Sequence, residues 1–185
     1  MRKTLIVFSV AFTTFLIGQI RISADLGGKI GDGQYDNDTK MGITLGYDHA
    51  LGSWNNINYG VGVEYQLNRG LDIQGAVGYE PKFGFTSIYL FDRYNINPTM
   101  YVGTKLGYAI SFNGNDDLTR EGADLSGGLM WSFGFGYSIN DQMIVESGYA
   151  SNAGTSEVGS VEEENINKSD ITYTRVYFAF IYNFK

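Results

Sequence analysis

The sequence contains no cysteine, only two prolines (Pro81 and Pro98) and a single histidine, His49, among 185 residues. Without cysteine there is no disulfide, no thiolate nucleophile and no thiolate metal site. So little proline disfavours proline-rich disorder and leaves long strands unobstructed. Basic residues are scarce as well: 13 Lys and Arg stand against 20 Asp and Glu, a formal charge of −7. No basic stripe runs along the chain, so nucleic acid is not an expected partner. Beyond the first residues no segment keeps a helical apolar spacing for long.

Glycine and aromatics are abundant instead, with 25 Gly, 14 Tyr and 12 Phe. Glycine without a triplet repeat excludes collagen, and aromatics in this number favour sheet. The length suits one domain. At the N-terminus Arg2 and Lys3 precede an apolar run from Leu5 to Gly18. A short basic stretch before a run too short to span reads as an export signal. The signal is expected over 1–24, with cleavage after Gly18 as the alternative. Cleavage after Ala24 would carry off Arg2, Lys3 and Arg21, leaving 10 basic against 20 acidic residues.

Residues 25–185 read as one domain in which apolar and small residues alternate with period two. Tyr59, Val61, Val63, Tyr65 and Leu67 interleave with Gly60, Gly62, Glu64 and Gln66. Asn68-Arg69-Gly70 is read as a turn into a second strand at 71–79. The next hairpin spans 85–95 and 99–112. Its first strand is mixed, since Ile88 and Leu90 favour one face and Tyr89 and Phe91 the other, and a bulge would explain that. The cleanest pattern is Leu129, Trp131, Phe133, Phe135 and Tyr137 against Gly128, Ser132, Gly134, Gly136 and Ser138, with Met130 the exception. The last strand carries Thr172, Thr174, Val176, Phe178, Phe180, Tyr182 and Phe184 on one face.

Long aromatic faces opposite small glycine-rich ones predict an all-β fold: an antiparallel up-and-down transmembrane β-barrel of eight strands. Tyr59, Tyr79, Tyr94, Tyr108, Tyr137 and Phe184 are candidates for the interfacial girdles. Tight connections at 68–70, 95–98 and 139–141 are expected on the periplasmic side. Those at 50–57, 81–84, 113–121 and 151–170 are expected outside. The start is ambiguous, because 20–31 and 39–49 both alternate and counting both gives nine strands. Either 25–38 is a polar tail or it belongs to the first-strand region; the tail reading is preferred because it keeps the loop alternation intact.

The signal, the segments Tyr101-Val102-Gly103-Thr104-Lys105-Leu106-Gly107-Tyr108 and Gly134-Phe135-Gly136-Tyr137, and the ending Tyr182-Asn183-Phe184-Lys185 resemble small outer-membrane proteins of the OmpA/OmpX-like superfamily. The resemblance implies residence in the bacterial cell outer membrane among its lipids and lipopolysaccharide. It also implies recognition by the barrel assembly machinery through a terminal aromatic residue. Phe184 matches that position, and Lys185 after it departs from the usual ending.

A lumen of eight strands holds packed side chains or one small ligand. Glu64, Asp72, Lys105, Glu146 and Arg175 are expected inside it. Mixed signs on neighbouring strands favour an internal ion-pair network over a polar path. His49 with Asp48 and Ser53 imitates a hydrolase arrangement, but a lone loop histidine is more often an exposed polar residue, and no catalytic, cofactor or metal site is expected. Glu157, Glu162, Glu163, Glu164 and Asp170 make 151–170 an acidic surface loop, and Asn113-Gly114-Asn115-Asp116-Asp117 reads as a polar turn. The expected function is a non-enzymatic, monomeric structural barrel with surface-exposed loops. Surface recognition through 151–170 and passage of small solutes are the alternatives.

Overall fold

In the computed structural model the described residues are 18–31, 36–72, 82–113, 123–158 and 167–184. They form ten strands and, among the described residues, no helix: β1 (Gln19–Gly31), β2 (Asp36–Thr39), β3 (Gly42–Trp54), β4 (Ile57–Gln66), β5 (Arg69–Asp72), β6 (Lys82–Asn97), β7 (Met100–Asn113), β8 (Ala123–Ser138), β9 (Met143–Val158) and β10 (Asn167–Asn183). Every pairing is antiparallel, and β10 pairs with β1, so the sheet closes on itself.

The wall has eight strands, two of them interrupted. β1 pairs with β3 over Gln19–Asp25 and with β2 over Gly28–Gly31, so β2 continues the line of β3. β5 likewise continues β4, pairing with β2 on one side and β6 on the other. Two backbone bonds of 2.9 Å bracket the interruption, from Lys40 N to Gly70 O and from Leu67 N to Ile43 O. Gly27 takes a φ of 59° where the β1–β10 register slips, a bulge conformation that a side chain would strain.

Following paired residues once around the ring from Asn183, through Gln19, Asp48, Gly62, Tyr89, Gly107, Met130 and Asn152, leads to Tyr173 on the strand of departure. That stagger of ten residues, from 183 to 173, accompanies a strand tilt of roughly 35–45° and a lumen just wide enough for side chains.

The period-two pattern decides which way each side chain points. Ile22, Leu45, Val63, Leu90, Leu106, Phe133 and Phe178 are among the large apolar residues exposed on the outer face. Such a belt around a closed ring is the surface a bilayer covers, because no backbone edge is left unpaired within it. Tyr59, Tyr94 and Tyr137 stand on that face near one rim. Tyr108 is also exposed but lies further along β7, and Phe184 packs edge-on against Tyr182 at 5.2 Å. Tyr79 lies outside the described residues.

Several expected boundaries change. Residues 19–31 are a wall strand paired on both sides, so 25–31 follow the first-strand alternative and not the polar tail. The count stays at eight because 68–70 is no turn: Arg69 and Gly70 lie in β5, and β4 pairs with β6. Only Leu71 and Asp72 of the expected strand 71–79 fall within the described residues. Residues 50–57, expected as an outer loop, hold the tight turn at Asn55–Asn56, where Asn55 has a φ of 53°. Residues 82–84, within the segment expected to be a short loop, already belong to β6. Most of 151–170 is strand as well, with 159–166 outside the described residues.

The turns at 55–56, 98–99 and 139–142 share one rim with Gly18 and Phe184, joined there by a bond from Phe184 N to Gly18 O. We call this the turn rim, and the opposite end the loop rim.

Candidate functional site: the filled lumen

Inward-facing positions of the wall bring nine charged side chains into the lumen: Arg21, Arg69, Arg93, Lys105 and Arg175 with Asp25, Asp48, Glu64 and Glu146, all buried. Burying so many charges is tolerable only where each finds partners. Three carboxylates act as hubs. Asp48 takes Arg21, Arg93 at 2.7 Å and the Tyr89 hydroxyl at 2.7 Å. Glu64 faces Arg175 at 2.6 Å, Lys105 at 3.8 Å and Arg21 at 4.0 Å. Asp25 takes Arg69, Arg175 at 3.3 Å and the Thr44 hydroxyl at 2.7 Å.

Glu146 differs. It accepts from the hydroxyls of Tyr101 at 2.5 Å and Tyr177 at 3.0 Å, and no cation of a described residue lies within ion-pair distance. Lys105 is held partly by aromatic faces, its Nζ 4.8 Å from the Tyr89 ring centre and 5.7 Å from that of Tyr177. These pairs reach across the lumen. Arg175 of β10 meets Glu64 of β4, and Arg93 of β6 meets Asp48 of β3 and the amide oxygen of Gln19 of β1.

Glycine makes room for the rings. A side chain on Gly136 would strike the Tyr101 ring, one on Gly62 the Tyr89 ring, and one on Gly148 the Tyr177 ring and the Phe133 carbonyl. Each tyrosine therefore lies flat over bare backbone and carries its hydroxyl to a carboxylate.

Toward the loop rim the filling becomes apolar. Phe83 and Phe85 at the start of β6, Ile171 and Tyr173 near the start of β10, and Ile30 near the end of β1 are all buried. Tyr173 stacks on Phe85 at 5.7 Å and meets Phe83 edge-on at 5.2 Å. Arg69 joins the two kinds of filling, donating to Asp25 and to the Tyr173 hydroxyl. Beside Lys105 and Ser132 two small gaps remain; one has no room for a water-sized sphere and the other about 10 Å³. That is about enough for one water molecule.

Of the charges expected inside, Glu64, Lys105, Glu146 and Arg175 are there. Asp72 falls in β5, and its side chain is outside the described set. Arg21, Asp25, Asp48, Arg69 and Arg93 were not anticipated as lumen residues. Asp48 and His49 lie next to each other on β3 and so point to opposite faces, Asp48 fully buried among Arg21, Tyr89 and Arg93 and His49 half-buried outside. With Ser53 exposed near the β3–β4 turn, the three do not form a catalytic unit. Among the described residues no group of three His, Asp or Glu side chains could hold a metal ion. Glu157 lies in β9 opposite Lys168, and Asn113 ends β7, whereas 114–117 and Glu162, Glu163 and Glu164 lie outside the described residues.

A closed, tilted eight-stranded ring with an outer apolar belt can be compared with known structures. Neisserial surface protein A superposes with a TM-score of 0.61 at 9% identity, over 90% of this chain and 97% of that one. The fold is that of the small bacterial outer-membrane barrels. Outer membrane protein AlkL, solved in lipid bilayers, gives 0.53 at 15% identity, covering 91% of this chain and 90% of its own. Ail, the attachment invasion locus protein of Yersinia pestis, gives 0.51 at 11% identity, over 89% and 97%. No family model and no curated sequence matches the chain.

Proposed function

We propose that this chain is a sealed, non-enzymatic barrel of the outer membrane, a rigid ring that carries its loops on the outer surface. The observation that carries this reading is the filled lumen: buried cations and carboxylates are tied together across it and an aromatic layer lies above them. A conducting path would need these cross-lumen pairs broken, and removing one partner of a buried pair costs about 3–5 kcal/mol. The turn rim faces the periplasm, as short turns do in such barrels, and the loop rim faces outward. Membrane lipids and lipopolysaccharide surround the belt of a monomeric barrel, and Phe184 is the residue offered to the assembly machinery.

The test is conductance of the refolded protein in planar bilayers. A folded and silent barrel is the expected result. Reproducible discrete openings, altered by Lys105→Gln or Arg175→Gln, would replace the sealed reading with a narrow pore.

A second reading has its own support. β9 and β10 run for 16 and 17 residues and stay paired as far as Val158 and Asn167, whereas about 9–11 residues cross a bilayer. The excess carries 151–170 beyond the belt, where surface recognition would take place. Ail, an attachment invasion protein, shares the fold. Exchange of 159–166 for a Gly/Ser linker should then abolish cell attachment while the barrel still folds.

A further inference from the structure

The turn rim holds a groove of about 520 Å³ between the β3–β4 and β6–β7 hairpins. It is lined by Asn56, Asn58, Asn95, Asn97, Ile96 and Pro98, so four carboxamides and two apolar residues face it and no charge does. The hairpins are locked together by a bond of 2.8 Å from Asn95 N to Asn56 O, which fixes the spacing of the amides. Asn97 spends its oxygen on its own turn, accepting from Thr99 N and Met100 N at 2.9 Å. The side chains of Asn56, Asn58 and Asn95 make no hydrogen bond to another described residue, although Asn58 and Asn95 are half-buried.

Three preset amides without partners offer donors and acceptors together in a volume typical of ligand clefts. With no charge in the lining, the matching ligand is neutral and rich in hydroxyl and amide groups. Ile96 and Pro98 supply apolar area for its carbon face. Trp54, 70% exposed and paired with Ile57 at the tip of the first hairpin, does not line the groove but lies two residues from Asn56, near enough to report on its occupancy.

We propose that this groove binds a glycan strand of N-acetylated amino sugars, the acetamido groups pairing with the free carboxamides. On the orientation proposed above, the strand is that of the cell wall on the periplasmic side; the chemistry of the groove does not depend on that orientation.

The experiment uses the full barrel refolded in detergent and labelled N,N′,N″,N‴-tetraacetylchitotetraose in equilibrium dialysis. Saturable binding with a dissociation constant on the order of 1 mM is expected. It should weaken at least tenfold in Asn58→Leu and in Asn95→Leu, both checked for folding by their heat-dependent gel mobility. Emission of Trp54, isolated by Trp131→Phe, should shift over the same concentration range. No binding at 20 mM overturns the proposal, as does equal binding by the leucine variants, or binding of tetra-alanine in place of the sugar. Co-sedimentation with purified wall sacculi forms a separate arm. If chitotetraose binds the groove and sacculi are not retained, the assignment to the wall strand fails while the sugar site stands.

Discussion

The two ends of the lumen are filled by different physics. On the turn side, charges and tyrosine hydroxyls meet in directional pairs; on the loop side, Phe83, Phe85, Ile30, Ile171 and Tyr173 pack without direction. Apolar packing accepts many arrangements at similar energy. A buried arginine accepts few, because a lost partner leaves a desolvated charge. The charged portion thus pins the relative positions of β1, β3, β4, β6 and β10, and the aromatic portion closes the ring above it. Arg69 belongs to both, which couples them through Asp25 and Tyr173.

The most severe way to break this division is to begin the chain at Asp25. That removes Gln19 to Ala24 and with them Arg21 and much of the ladder to β3 and β10. Such a chain should not reach the heat-modifiable folded band on a gel, whereas one begun at Gly18 should. Correspondingly, mass spectrometry of the exported protein should find a mature N-terminus at or before Gln19.

Next in size is Glu64→Gln, which leaves Arg21, Lys105 and Arg175 facing a neutral amide. Loss of about 3–5 kcal/mol is expected, read as a lower urea midpoint for unfolding from micelles. Phe85→Ala opens a cavity on the other side and should cost about 3 kcal/mol. If the two ends are coupled through Arg69, combining Phe85→Ala with Glu64→Gln will depart from additivity by more than about 0.5 kcal/mol. Strict additivity would mean that the ends are independent. Smaller still is Gly136→Ala, whose methyl group must displace the Tyr101 ring, at about 1–3 kcal/mol. Near-ultraviolet circular dichroism should report the displaced tyrosine.

The same division explains what could be read from the residues. β8 was legible because its inward positions, Met130 apart, are small or polar and its outward ones apolar. β6 was not, since Phe83, Phe85, Tyr89 and Phe91 point into the lumen while Ile88 and Leu90 point to lipid. Both faces are apolar there, so alternation vanishes without the bulge it suggested; the β6–β7 register slips only near the turn, at Asn95. Glu64, Lys105, Glu146 and Arg175 stood out because each interrupts a clear strand. Arg21 and Asp25 were concealed by their nearness to a segment that reads as an export signal. Asp48 was concealed by a neighbouring histidine, and Arg69 by a sequence that reads as a turn. The amide groove gave no signal, because Asn-rich turns are ordinary and only the side-by-side hairpins bring 56–58 and 95–98 together.

The bare backbone under each inward tyrosine has a consequence for how such a chain changes over generations. Tyr101 and Gly136, Tyr89 and Gly62, and Tyr177 and Gly148 are members of pairs in which bulk on one strand answers emptiness on another. Neither member can drift alone, but the two can exchange bulk together, and many such exchanges leave the ring intact. A lineage free to move in coupled steps can replace most of its letters and keep its shape.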